Sequence, residues 1–308
     1  MIALKTISLA LVLFFLFTSL WGFYISIRPP KFTSTITPGD LGLDFEEVSF
    51  VTKDGIRLRG WFILRQDSGQ VPLQTEEVPI DKIDRGSTIS QGDIGTKTII
   101  LLHGYPADKG NILPTMSFLN QTYNLFLFDF RYLGQSGGTY TTIGARETED
   151  LKAAIHYLKS RDIEEVGVWG FSLGGAVALM TAQGAPEIKA IVSESSYASL
   201  ALLAPELYRI PILRYPLGYL SGLWAKLFLG INTKKVSPAA AAKNLTIPVL
   251  VIHSKKDDVI PFSHAVRLQE SLEDNSKAEF WFQENLRHGE FDAEYQARIL
   301  DFFKRNFK

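Results

Sequence analysis

One stretch, residues 166–180, constrains the fold of this chain more than any other. Val166-Gly167-Val168-Trp169 is a short apolar run that reads as a buried strand. Gly170-Phe171-Ser172-Leu173-Gly174 follows at once, and small apolar residues then continue at helical length. A G-x-S-x-G sequence between a strand and a helix predicts a sharp turn that holds a serine hydroxyl out at the carboxyl end of a sheet. The serine in such a turn has a strained backbone, and side chains two residues to either side would collide with the neighbouring strand and helix. The start of the following helix, with its free amides and dipole, favours negative charge developing beside Ser172.

A serine hydroxyl is a weak nucleophile until a base takes its proton, and that base must be held in one tautomer by an acid. The apolar run 248–253 is followed by Asp257 and Asp258, and the run 278–282 is followed by Arg287-His288-Gly289-Glu290. Both sets fall just past strand ends, where open α/β sheets carry their sites. The chain order Ser172, then Asp257 or Asp258, then His288 is the one expected with this turn. An oxyanion formed at Ser172 needs two backbone N–H donors, one from Leu173 and one from a loop after an earlier strand. Leu102-His103-Gly104-Tyr105-Pro106 supplies such a loop, with Tyr105 as the second donor and His103 as a loop-shaping residue.

The rest of the chain alternates strands and helices. Apolar runs at 98–102, 123–130, 188–193 and 248–253, with an amphipathic helix at 146–159 and a closing helix at 293–303, predict a mostly parallel sheet covered on both faces. Before them, 47–51 and 56–63 form two strands joined at Asp54-Gly55. Residues 66–97 are polar and aperiodic, an expected surface insertion. Residues 199–242 break the alternation with apolar segments cut by Pro205, Pro211 and Pro216. They predict a small helical cap, whose apolar face serves either to cover the core or to meet lipid or an acyl chain.

The formal net charge of −1 and the lack of a basic stripe argue against nucleic acid as a partner, and the absence of cysteine removes disulfides and thiolate chemistry. His156, His253 and His264 read as structural and suggest no metal site, so neither a metal nor a cofactor is expected. No charge occurs at 6–27, and about 20 such residues cross a bilayer core. Trp21, Phe23 and Tyr24 stand near the far end, where aromatic residues meet the interface. A transmembrane anchor is the expectation, against a cleaved signal peptide or a buried core helix.

Together, Leu102-His103-Gly104-Tyr105, residues 129–136, Gly170-Phe171-Ser172-Leu173-Gly174 and the two late loops resemble the α/β-hydrolase superfamily of serine hydrolases, in particular its membrane-anchored members with one N-terminal helix. The resemblance runs from about 45 to 307. It implies an acid at the head of a D-x-V-I turn, which selects Asp257, with Asp258 as runner-up. The chain thus divides into an expected membrane anchor at 1–28, a linker at 29–44 and a hydrolase domain at 45–308. The activity implied is hydrolysis of an ester, thioester or amide through Ser172, His288 and Asp257, on a small-molecule or lipid-like acyl substrate, without a cofactor. A serine peptidase and a non-catalytic binding or scaffold protein are the alternatives.

Overall fold

The computed structural model describes residues 2–66, 97–208 and 210–308, so the expected insertion at 66–97 lies outside the described residues except at its two ends. Eight strands form one sheet: β1 (Phe45–Val51), β2 (Arg57–Ile63), β3 (Thr98–Leu102), β4 (Asn124–Phe128), β5 (Val166–Phe171), β6 (Ile188–Glu194), β7 (Val249–Ser254) and β8 (Ala278–Gln283). Their order is β1-β2-β4-β3-β5-β6-β7-β8. β2 is antiparallel to both of its neighbours, and every other pair is parallel. This is the α/β-hydrolase architecture that the resemblance implied.

The helices are α1 (Ile2–Ile27), α2 (Lys109–Met116), α3 (Glu147–Lys159), α4 (Leu173–Ala182), α5 (Leu200–Glu206), α6 (Arg214–Leu229), α7 (Pro238–Ala242), α8 (Ser263–Ser271) and α9 (Tyr295–Asn306). Both sheet faces are buried, which is why the central strands are apolar at nearly every position. Ile100, Leu102, Val168, Ile191 and Val251 pack with residues of α3, α4 and α8 on one face. Ile99, Leu101, Trp169, Val192 and Ile252 pack with residues of α2 and α9 on the other. The period of two along each strand thus divides one apolar sequence between two cores.

Parallel register aligns the ends of these strands. β3 lies beside β5, with Leu102 opposite Gly170, so the loop that begins at His103 borders the turn at Ser172. β6, β7 and β8 follow outward and deliver Glu194, Asp257 and His288 from the same edge.

Of the stretch expected as a cap, α5 and α6 pack on each other, while α7 packs against α4 and α8 in the body of the molecule. Residues 26–34, the end of the expected anchor (1–28) and the start of the expected linker (29–44), are tied to the loops at the carboxyl edge of the sheet. The Thr141 N–H donates to the Ile27 carbonyl (2.9 Å), the Tyr132 hydroxyl to the Pro29 carbonyl (2.9 Å) and the Ser34 N–H to Asp108 Oδ2 (2.6 Å).

Candidate active site

Ser172 sits between β5 and α4 with φ 52° and ψ −108°, a region costly for any residue with a side chain. Its N–H donates to the Glu194 carbonyl at 2.8 Å, which ties the turn to the end of β6. The glycines of the motif have steric reasons. A Cβ at 170 would overlap the Gly174 backbone, and one at 174 would overlap the Leu102 carbonyl. Only hydrogen fits at either place, and the tight approach aims the first turn of α4 at the space above Ser172.

The two late loops meet. His288 Nδ1 lies 2.8 Å from Asp257 Oδ2, with the Asp257 side chain fully buried and that of His288 14% exposed. The D-x-V-I spacing has a local cause: Asp257 Oδ1 accepts from the Val259 N–H (2.9 Å) and the Ile260 N–H (2.8 Å), leaving Oδ2 for the imidazole. Burial pushes the Asp257 carboxyl up, but the hydrogen bond and charge of His288 and the two amides outweigh it and hold it below the usual carboxylate range. Asp258 does something else: its Oδ1 accepts the His288 backbone N–H at 3.3 Å. The histidine loop is closed by Glu290, which accepts the Arg287 N–H at 2.8 Å, with Gly289 at φ 80°.

Phe171 joins these parts to the turn. Its ring centroid is 4.8 Å from that of His288. A Cβ added to Gly104, in the loop before Tyr105, would come within 2.8 Å of the Phe171 ring and 3.4 Å of Ser172 Cβ. The structure therefore gathers Ser172, the Gly104-Tyr105 loop and the Asp257–His288 pair around one aromatic ring. Leu173 is the first residue of α4, where N–H groups have no partner within the helix. His103 is spent on architecture: Nδ1 is 2.8 Å from the Gly104 carbonyl, Nε2 accepts the Phe130 N–H (3.0 Å), and burial lowers its pKa so that it stays neutral. His253 contacts the Ile260 carbonyl and His264 accepts the Ala198 N–H, so both support loops. No cluster of His, Asp and Glu able to hold a metal ion occurs among the described residues.

Three features escape a reading of the sequence. Glu194 is buried at the end of β6 and accepts a hydrogen bond from the Tyr295 hydroxyl. Burial raises its pKa to about 7, opposed by the Tyr295 bond and the nearby His288. Its position right after the run 188–193 was the available signal. The second is the hydrogen bond from the Tyr105 hydroxyl to the Ser26 carbonyl of α1 (3.0 Å), which puts the end of that helix on the loop beside Ser172. The third is an open cleft of about 780 Å³ between cap and body, lined by Tyr208, Ile212 and Tyr215 on one side and Lys255, Asp257 and Asp258 on the other. That size is ordinary for a small-molecule site.

The chain is similar to the uncharacterized protein YfhR of Escherichia coli O157:H7, 32% identical over 230 residues, 72% of this chain and 66% of YfhR. It thus spans just under two thirds of that relative's length. The alpha/beta hydrolase domain-containing protein WAV2 of Arabidopsis thaliana is 25% identical over 248 residues, 78% of this chain and 71% of WAV2. Among solved structures, the esterase Pf2001 of Pyrococcus furiosus superimposes with a TM-score of 0.70 at 26% identity, covering 92% of this chain and all of that one. The profile of the prolyl oligopeptidase family, Peptidase S9, matches residues 135–308, more than half of the sequence. With the α/β-hydrolase fold already evident in the strand order, the chain belongs to the prolyl oligopeptidase family.

Proposed function

We propose that this protein is a membrane-anchored serine hydrolase that cleaves acyl bonds of lipophilic substrates through Ser172, His288 and Asp257. The observation that carries the reading is the 2.8 Å contact between His288 Nδ1 and buried Asp257, next to a serine held at φ 52°. Asp257 accepts the Nδ1 proton and so leaves Nε2 unprotonated, able to receive the Ser172 proton as Oγ attacks the substrate carbonyl. The oxyanion of the tetrahedral intermediate takes hydrogen bonds from the Leu173 and Tyr105 N–H groups. His288 returns the proton to the leaving alcohol, thiol or amine, and water then cleaves the acyl-enzyme by the same route. Every proton moves between Ser172, His288, the substrate and the hydrolytic water, so the cycle needs no cofactor.

The substrate class rests on apolar surroundings: an N-terminal helix whose stretch Lys5–Ile27 is long and apolar enough to cross a membrane, and a cap rich in exposed apolar residues. The family match favours a second reading, a peptidase, because the same machinery opens amides. The test is fluorophosphonate labelling of the detergent-solubilised full chain. Wild type is expected to label and Ser172→Ala to lose labelling entirely. Labelling that survives the substitution would remove Ser172 from the role of nucleophile. Comparing turnover of a series of acyl esters with that of aminoacyl amides by unlabelled wild type then separates the two readings.

A further inference from the structure

We infer that the cap helix α6 is itself a membrane element, lying in the interface of the bilayer that α1 crosses, with its outer face against lipid. The inference rests on the reading of α1 as a membrane span and goes beyond it.

α6 has three faces, and two are occupied. Ser221 and Trp224 turn toward α1 and its surroundings, and Phe228, itself 62% exposed, borders that side. Trp224 Nε1 donates to Ser19 Oγ at 3.0 Å, and the rings of Phe23 and Phe228 stack with centroids 6.3 Å apart. Leu217, Gly218 and Ala225 are buried, and a Cβ at Gly218 would lie 2.6 Å from Pro205 N of α5. The third face is the one a helix in water would make polar. Here it carries Tyr215, Tyr219, Leu223 and Leu227 at a spacing of four, with Tyr219 75% and Leu227 62% exposed. Ile212, just ahead of the helix, is 81% exposed at φ 67°, a backbone region unfavourable for a β-branched residue. The only charges in the helix, Arg214 and Lys226, are both basic. Arg214 is paired with Glu206 of α5 at 2.7 Å. An apolar face with basic residues and no acidic residue of its own is the composition of helices that lie in the lipid interface.

Length fixes the depth. A bilayer core of ~30 Å takes about 20 residues at a rise of ~1.5 Å. α1 is buried against the cap at Ser19 and Phe23, so the part that rises clear of α6, from Thr6 to Thr18, supplies only about 20 Å. Crossing the core from Thr6 therefore brings the membrane down to about Tyr24 or Ile25, level with α6. Trp21 and Tyr24, both exposed on α1, fall at that level, where interfacial aromatic residues belong. On α6, the exposed face adjoins the side that meets α1, so the two helices present one continuous apolar surface. The occupant this surface fits is the acyl and headgroup boundary of the leaflet in which α1 ends.

The chain has no cysteine, so single cysteines are unique labelling sites. Tyr219→Cys and Leu227→Cys on α6, Leu11→Cys on α1 and Asp274→Cys on the exposed turn before β8 would each carry an environment-sensitive nitrobenzoxadiazole. Each full-length variant would be reconstituted in vesicles of phosphatidylcholine and phosphatidylglycerol. Fluorescence at 219, 227 and 11 is expected to be blue-shifted and quenched several-fold more by nitroxide lipids than at 274, which aqueous iodide quenches instead. If 11 is quenched by nitroxide lipid while 219 and 227 answer to iodide, the inference fails and the anchor reading stands. If 11 also answers to iodide, the anchor reading fails and takes the inference with it. Protection of 219 and 227 from both quenchers would mean that protein, such as a second copy, covers the face, and would equally overturn the inference.

Discussion

Asp257 and Asp258 are neighbours in sequence with separate tasks in the structure. Asp257 holds the imidazole nitrogen of His288, whereas Asp258 accepts its backbone N–H. Asp257→Asn keeps the shape but presents an amide where the Nδ1–H needs an acceptor, so kcat is expected to fall by roughly 10³–10⁴. Asp258→Asn keeps an acceptor for the amide and is expected to stay within roughly threefold of wild type by the same reasoning. Equal losses in ester hydrolysis by the two variants would refute the assignment. Glu194 offers a test through pH. Burial, only partly opposed by the Tyr295 hydrogen bond and the charge of His288, raises its pKa from 4.5 to about 7. An acid with a raised native pKa holds its proton in the folded state over a window where the unfolded chain has lost it. Its contribution is therefore complete below about pH 4.5, declines as pH climbs to about 7 and is level above that, a swing on the order of 3 kcal/mol. Glu194→Gln carries no proton to lose. The difference in unfolding free energy between the two proteins is expected to shift in favour of the variant across this window. Parallel curves in urea melts at pH 5 and pH 8 would exclude the effect.

At the level of elements, the turn between β5 and α4 is the joint on which the site depends. Gly174→Ala pushes a methyl into the Leu102 carbonyl, backbone against backbone, and is expected to cost about 3 kcal/mol or more. Gly184 is exposed, and a Cβ added there would meet nothing within 4 Å, so Gly184→Ala is expected within about 0.5 kcal/mol of wild type. Chemical denaturation of both checks the contrast, and a stable Gly174→Ala protein would show that the turn tolerates what its geometry forbids. The sequence was legible where local chemistry dictates structure. The apolar runs marked β3 and β5 to β8 within a residue or two, and the resemblance placed Asp257 at the head of a D-x-V-I turn. It was not legible where distant residues decide. α2 contains Gly110 and Pro114, poor helix formers, and Gly110 is required because Ser34 passes 2.7 Å from where its Cβ would be. The ties of residues 26–34, at the junction of the expected anchor and linker, were hidden because their partners, Tyr105, Asp108, Tyr132 and Thr141, lie more than 70 positions away.

For the whole molecule, the question that composition left open was whether the first helix stays. Apolarity suits an anchor and a signal peptide alike, and the packing gives a reason to expect retention. A leader destined for removal leaves a domain complete without it. Here Ser26 and Ile27 supply carbonyl acceptors to Tyr105 and Thr141, Ser19 accepts from Trp224, and Phe23 stacks on Phe228. Cleavage after the helix would leave three donors without those partners, at about 1–3 kcal/mol for each that stays buried, and would bare one aromatic face of the cap. Tyr105 would lose its tether as well, and its N–H is the proposed second oxyanion donor, so removal is expected to weaken turnover. The expectation is that the helix is retained. A protein tagged at both ends should show both tags on one full-length band, resistant to alkaline extraction. A mature, active species lacking the N-terminal tag would mean that the site holds its shape without α1, and that these contacts are dispensable.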